Sequence, residues 1–235
     1  HMHKAIIFDM DGTLIDVTQS YKEAILRTVL HFVPSASRDA VIREREQLRG
    51  RPGFNNDWDA SYYLIRKLEG CDGPVVRDTF WHEVRDIFQS HYLGVALYRR
   101  SYGKEPPLVI ASGLIDNERV LIREETLKAL RRYPLGIATS RTRFEALHAV
   151  GISFLGAYFD RHAIISQDDV TKEKPDPEPI RTAMGRLGAS TCVYVGDTVD
   201  DAAAARAAGC ESIIVGGDWG DAMVRDVNDI LALLS

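Results

Sequence analysis

Five short apolar runs, each followed by a stretch of helical period, constrain this chain more than any other feature. The runs are Lys4–Phe8, Leu135–Thr139, Ala163–Ile165, Cys192–Val195 and Ser212–Val215. Each is strand-length and without polar alternation, which is the pattern of a strand buried on both faces. The helices between them carry their own start and stop signals. One spans about 142–150, opened by the capping pair Thr142 and Glu145 and closed by Gly151. Another spans 176–187, with prolines in its first turn and Gly188 beyond its end. The alanine-rich stretch 199–208 stops at Gly209, and 227–234 reads as a last helix. Strands joined by helices need crossover connections, so these parts imply an α/β fold with a Rossmann-like parallel sheet covered on both faces.

The region between the first run and the second is different. From Val17 to Ala111 apolar residues recur at helical spacing, as in Ala24-Ile25-Val29-Leu30 and Tyr62-Leu64-Ile65-Leu68. The clearest helices fall near 19–32, 38–48, 58–69 and 75–93, with Asp57 or Asp59 as a cap for the third. Residues 108–122, with a turn around Asp116-Asn117, form either a hairpin or a second linker back to the sheet. The expected organisation is a core of residues 1–16 and 112–235, with an all-helical domain, 17–111, inserted after the first strand.

Composition excludes several partners. A formal net charge of −5 gives no basis for nucleic-acid or anionic-membrane binding. No apolar stretch approaches the roughly 20 residues that a membrane span needs. Cys71, Cys192 and Cys210 are scattered without metal-ligand spacing, which suggests a reducing, cytoplasmic setting. His1-Met2 reads as a cloning remnant at or ahead of the native start, since the chain enters its first strand at once. Nothing in the pattern sets an oligomeric state.

The chemistry-bearing residues stand at the ends of the apolar runs. Asp9-Met10-Asp11-Gly12-Thr13 follows the first. Two carboxylates two residues apart can converge on one reacting atom, one as nucleophile or metal ligand and one as proton donor. The amides beyond Asp9, freed by Gly12, can cradle an anion. A buried strand ending in an acidic turn is the plainer reading. Thr139-Ser140, after the second run, offers a hydroxyl and an amide for a phosphoryl oxygen, although such turns are common. Lys174 sits before a helix start and is held out of helix by Pro175. A cation there is an electrostatic misfit unless an anion is near; the alternative is an exposed loop lysine like Lys172. Gly196-Asp197-Thr198-Val199-Asp200-Asp201 follows the fourth run, with Asp197 and Asp201 one helical turn apart. Crowded acids fit a hard divalent cation, Mg²⁺ best where a phosphate also supplies ligands; helix capping accounts for one of them.

These four features, in this order, closely resemble the haloacid dehalogenase (HAD) superfamily, most of whose members are phosphatases. The matching residues are Asp9-Met10-Asp11-Gly12-Thr13, Thr139, Lys174, and Gly196-Asp197 with Asp201. The helical insertion between the first and second motifs resembles subclass IA with a type-A cap, the phosphoglycolate phosphatase-like and β-phosphoglucomutase-like branch. Residues 51–59, Arg-Pro-Gly-Phe-Asn-Asn-Asp-Trp-Asp, resemble a small subgroup sometimes labelled as histidine-pathway enzymes.

The resemblance implies a Mg²⁺-dependent phosphatase acting on a small phosphorylated metabolite through an aspartyl-phosphate. Asp9 would attack phosphorus, and Asp11 would protonate the leaving oxygen and then take a proton from water. The ion would be held by Asp9, the Asp11 carbonyl, Asp197 and Asp201. Thr139 and Lys174, with the Met10, Asp11 and Ser140 amides, would hold the phosphoryl oxygens. The cap would close over the core, exclude water and set specificity. Arg49, Arg51, Asn55 and Asn56, in a polar loop broken by glycine and proline, are candidates for substrate contact, as is Arg141 beside the second motif; each also reads as a solvated residue. Trp58 reads as cap core or cleft wall. A phosphomutase of the β-phosphoglucomutase type would use the same residues, and a non-catalytic phosphate-binding module would keep the fold while losing a motif. Asp11 counts against a haloalkanoate dehalogenase, and Lys22 and Lys67 are too ordinary for a phosphonate hydrolase that needs a cap lysine.

Overall fold

A computed structural model describes residues 4–48 and 50–234. In chain order the elements begin with β1 (Lys4–Phe8) and β2 (Ile15–Asp16). Four helices follow: α1 (Tyr21–Phe32), α2 (Arg38–Leu48), α3 (Asp57–Leu68) and α4 (Thr79–Tyr102). Next come β3 (Arg119–Val120), α5 (Glu124–Leu130), β4 (Leu135–Ala138), α6 (Arg143–Gly151) and β5 (Ile164–Ile165). The chain ends with α7 (Glu178–Leu187), β6 (Thr191–Gly196), α8 (Val199–Ala208), β7 (Glu211–Val215), β8 (Ala222–Val224) and a 3₁₀ segment, Val227–Leu233. These elements divide into two compact units. One joins the segment up to Asp16 with that from Arg119 onward; the other is Val17–Glu118. Arg49 and the leading His1-Met2 lie outside the described residues.

The α/β unit is built on a six-stranded sheet in the order β5-β4-β1-β6-β7-β8, with every neighbouring pair parallel. This is the doubly wound order, and its switch point falls between β1 and β6, where the crossovers change face. β1 lies at the centre, with Phe8 level with Ile137 of β4 and Val195 of β6. That register brings Asp9, Thr139 and Asp197 to one edge of the sheet, each one residue past its strand. Ala5 to Phe8 are wholly buried, as a strand covered on both faces requires. Ala5, Ile7, Cys192 and Tyr194 pack with Ile180 and Ala183 of α7 and with Ala204 and Ala205 of α8. Burying one such isoleucine contributes about 1.5–3 kcal/mol. The small residues of α8 let that helix lie close on the strands.

Several boundaries differ from the expectation, each for a local reason. Residues 108–122 form no hairpin: β3 pairs antiparallel with β2, Ile15 opposite Val120, so the two linkers run side by side. α5 had no expected counterpart. Its signal was short, two acids in the first turn and Leu127 and Leu130 one turn apart on a buried face. β8 is a three-residue edge strand after a glycine-rich loop, too brief to show a period. The final helix is 3₁₀ rather than α. Gly151 closes no helix from outside; it is the last residue of α6, and Ile152 caps it.

In the helical unit, α4 runs past the expected limit of 93 to Tyr102. Gly94 breaks it midway at φ 68°, a left-handed value that favours glycine. The bend brings its backbone against Gly113, and Val95 N–H then donates to the Ile110 carbonyl at 2.7 Å. A side chain at either glycine would overlap the other segment's backbone.

Candidate active site

The turn after β1 folds on a single acceptor. The Met10 carbonyl takes N–H groups from Thr13 (3.3 Å), Leu14 (2.8 Å) and Ile15 (2.9 Å), while Gly12 N–H donates to the Ile15 carbonyl. Gly12 has φ +72°, and a Cβ there would run into the Asp197 carboxylate, so glycine is needed both for the backbone and for the approach of the two acidic loops. Asp9 is fixed by its own N–H, which donates to the Val195 carbonyl of β6 at 2.8 Å. The N–H groups of Met10 and Asp11 enter no hydrogen bond among the described residues and remain donors for an anion.

Three carboxylates, those of Asp9, Asp197 and Asp201, place an oxygen each within 4.8 Å of one another. Between two of them lies Lys174, buried and not on the surface. Its ammonium group meets Asp201 Oδ1 at 2.7 Å, Asp9 Oδ1 at 3.0 Å and the Tyr194 hydroxyl at 2.9 Å. Three donors face three acceptors. Tyr194 donates its own proton to the Ala138 carbonyl at 2.9 Å, which orients its lone pairs toward the lysine and ties the end of β4 to the same point. Asp201 has a second task. Its Oδ2 accepts from Asp197 N–H, Thr198 N–H and the Thr198 hydroxyl, and Thr198 caps α8 in return. The capping explanation and the electrostatic one therefore both hold for this residue.

Charge in the cluster is unbalanced. Burial pushes the Asp9 carboxyl up to about 7, with Asp201 and Asp11 adding to it and Lys174 opposing. Asp197 is also raised well above the carboxylate range, by burial and by the charges of Asp201 and Asp9. Burial raises Asp201 too, but the Lys174 charge and hydrogen bonds outweigh it and its carboxyl stays low. Lys174 is held firmly protonated against burial by Asp201 and Asp9. One lysine does not compensate three acids. Two raised carboxyls of hard oxygen donors facing one another fit a further cation such as Mg²⁺.

The second loop closes the arrangement. Thr139 N–H donates to the Ile165 carbonyl (2.9 Å), and the Thr139 hydroxyl accepts Arg141 N–H at 3.1 Å, which directs the hydroxyl proton elsewhere. Ser140 follows it, partly exposed. Arg141 is not solvated: it is 2% exposed, and its Nε and Nη2 reach Asp11 Oδ1 at 2.8 and 2.6 Å. Gln167 binds this loop to the lysine loop. Its N–H donates to the Arg141 carbonyl at 3.0 Å, and its amide donates to the Ser140 carbonyl (3.2 Å) and Glu173 (2.9 Å). Tyr194 and Gln167 went unforeseen in the sequence. A tyrosine in an otherwise aliphatic buried run was the available signal, since its hydroxyl needs a partner; Gln167 offered none.

The candidates in the helical unit are placed separately. Asn56 caps α3, its side chain accepting N–H groups from Trp58 (3.0 Å) and Asp59 (3.2 Å). Arg51 lies over the rings of Phe54 and Tyr63 and donates to the Tyr63 hydroxyl at 2.9 Å. Asn55 is half-buried beside them. Trp58 is half-buried and meets Trp81 edge to face.

Comparison with known proteins supplies the family. An imidazoleglycerol-phosphate dehydratase of Phytophthora nicotianae is 31% identical over 211 residues, which cover 88% of this chain but only 42% of that protein. A pyrophosphatase of Bacillus velezensis is 29% identical over 88% of the chain and 81% of its own length. Among solved structures, a phosphatase from Thermococcus thioreducens superposes with a TM-score of 0.67 at 27% identity, covering 97% of this chain and 98% of that one. The haloacid dehalogenase-like hydrolase family matches residues 3–209, which contain the loops after β1, β4 and β6 and the lysine, and the chain belongs to that family of enzymes.

Proposed function

We propose that the protein is a Mg²⁺-dependent phosphatase that hydrolyses a small phosphorylated metabolite through an aspartyl-phosphate on Asp9. The observation that carries this is the convergence of Asp9, Asp197 and Asp201 around Lys174 at the switch point of the sheet. Relatives named as phosphatase and pyrophosphatase support the same reaction class.

Asp9 attacks phosphorus as the bond to the leaving oxygen breaks, and Asp11 gives that oxygen a proton. Asp11 then takes a proton from water as the water oxygen attacks phosphorus, the bond from phosphorus to Asp9 breaks, and inorganic phosphate and the free Asp9 carboxylate result. Such transfers depend mainly on positioning and charge neutralisation. The N–H groups of Met10 and Asp11, the Thr139 hydroxyl and the Ser140 amide serve as donors to the phosphoryl oxygens. Lys174, its three donors turned to Asp9, Asp201 and Tyr194, acts on the phosphoryl group through its charge and through Asp9. Mg²⁺, when held by Asp9, the Asp11 carbonyl and Asp197 with Asp201 behind them, supplies positive charge to the transferring oxygens. Specificity is assigned to the helical unit, with Arg51 and Asn55 of its loop as substrate contacts. Three free thiols fit a reducing, cytoplasmic setting, and no helix among the described residues is long and apolar enough to cross a membrane.

The test is release of inorganic phosphate from a panel of phosphorylated metabolites, with Mg²⁺ and with chelator. Activity on at least one ester that disappears with chelator is expected. Full activity in chelator would remove the metal from the reading. Interconversion of sugar phosphates without free phosphate would make the enzyme a mutase.

A further inference from the structure

The Arg141 side chain is wholly enclosed, although it stands one residue before a helix cap, where an arginine can normally reach water. Enclosing a cation costs several kcal/mol unless partners repay it, so its placement has a specific cause. The backbone is pinned on both sides: Arg141 N–H donates to the Thr139 hydroxyl, and the Arg141 carbonyl accepts from Gln167 N–H. From there the guanidinium reaches Asp11 with two donors, and both land on the same oxygen. Nε is 2.8 Å and Nη2 2.6 Å from Oδ1, and neither bond uses Oδ2. The common arginine–carboxylate fork spreads over both oxygens. Here one is gripped twice and the other is left out.

We propose that Arg141 is a positioning residue for Asp11, which fixes the carboxyl through Oδ1 so that Oδ2 is the oxygen that moves the proton. The proposal rests on the reading of Asp11 as general acid and base. In the forward step the proton on Oδ2 passes to the leaving oxygen as the phosphorus–oxygen bond breaks. The Asp11 carboxylate that results keeps its contact with a cation that stays protonated throughout. In the second step Oδ2 takes the proton of the attacking water. A lysine could supply the charge, but not two donors in a fixed plane on one oxygen.

General-acid catalysis gives this a readout that a purely structural arginine would not move. A p-nitrophenolate leaves with little need of a proton, whereas phenolate needs one. The full-length enzyme, Arg141→Met, Arg141→Lys and Asp11→Asn are compared with Mg²⁺ on p-nitrophenyl phosphate and phenyl phosphate. The parameter is kcat/KM, which reports formation of the acyl phosphate and not its hydrolysis. In Asp11→Asn and Arg141→Met the ratio of the two esters should shift against phenyl phosphate by about a hundredfold, the scale of losing a proton donor. Arg141→Lys should fall between these and wild type, and it also serves if the methionine variant folds poorly. Inhibition by inorganic phosphate should stay near the wild-type level in the Arg141 variants. An equal loss on both esters, or weakened inhibition by phosphate, would assign Arg141 to the phosphoryl group itself and overturn the proposal. A shifted ratio in Asp11→Asn but not in Arg141→Met would overturn it while leaving Asp11 as the acid. An unshifted ratio in Asp11→Asn would remove the role of Asp11, and the proposal with it.

Discussion

Asp169, partly buried, and Asp9, buried, are both carboxylates of the α/β unit that meet cations, and they are held in opposite ways. Asp169 lies between β5 and α7. It accepts from Ser166 N–H (2.9 Å) and hydroxyl (2.7 Å), and from Arg143 and Arg186 at 3.0 Å each. Burial pushes its carboxyl up, but the Ser166 and Arg186 hydrogen bonds and the Arg143 charge pull it down to about 2. Asp9 has one lysine, shared with Asp201, and further acids around it, and it is pushed up to about 7. The first carboxylate stabilises the fold by being ionised. The second is ionised at the expense of the fold, and that kind of strain collects where chemistry is done.

Substitution at Asp9 should separate the two roles most sharply. Asp9→Asn removes the nucleophile and should lower kcat by more than about a thousandfold, as losing a covalent catalyst does. It also removes a charge that burial and neighbouring acids disfavour, so in chelator the melting temperature should equal or exceed that of wild type. A clear fall in melting temperature would place Asp9 with Asp169 as a structural carboxylate.

Lys174 should give the next largest effect. Lys174→Ala leaves Asp9 and Asp201 facing one another without their shared cation, and kcat/KM should fall by about a hundredfold or more. Lys172 is two residues away, exposed, and 3.8 Å from Asp176. Its replacement by alanine should change kcat/KM little. Small, equal effects at both positions would dissolve the distinction between the buried lysine and the surface one.

Five of the six sheet strands, the helices α6, α7 and α8 and the four chemistry-bearing loops were legible in the sequence because each rests on local signals: an apolar run, a cap, a glycine. Lys174 could be flagged because a cation at a helix start is misplaced unless an anion is near. What could not be read is who meets whom across the sheet. Arg141 read as either a substrate contact or a solvated residue, and nothing local pointed to the partner it meets, Asp11, which is distant in sequence but adjacent once β1 and β4 pair. Tyr194 looked like one more apolar strand residue, and its hydroxyl gains meaning only through Lys174 and Ala138. β8 and α5 were too short to show a period.

Asp169 supplies the opposite test, with a pH dependence. Its folded carboxyl titrates near 2, below the ordinary 3.8. The stabilisation is therefore complete above about pH 4 and is lost as the pH falls from there through 2. With each unit worth about 1.4 kcal/mol, Asp169→Asn should cost about 2 kcal/mol at pH 7 by urea unfolding, and the difference should shrink toward pH 3. Activity of the folded fraction should be retained. A stability difference that does not narrow in acid would mean that the ion pairs with Arg143 and Arg186 contribute nothing.

Asn56 carries the same distinction into the helical unit, where the expected effect is smallest. In the sequence it was a candidate for substrate contact; in the structure its side chain is spent on the N–H groups of Trp58 and Asp59 at the start of α3, with the backbone extended at φ −94° and ψ 118°. An N-cap asparagine replaced by alanine typically costs about 1 kcal/mol, which lowers a melting temperature by about 2–4 °C at this chain length. Asn56→Ala should show that loss, and Asn56→Ser, which keeps an acceptor in the same place, should recover most of it. In both variants kcat/KM on any accepted ester should remain close to wild type, because the oxygen that the sequence offered to a substrate is already committed to the helix. If serine restores the melting temperature but kcat/KM stays low, the amide nitrogen is what matters, and Asn56 belongs with the residues that read the substrate rather than with those that hold the fold.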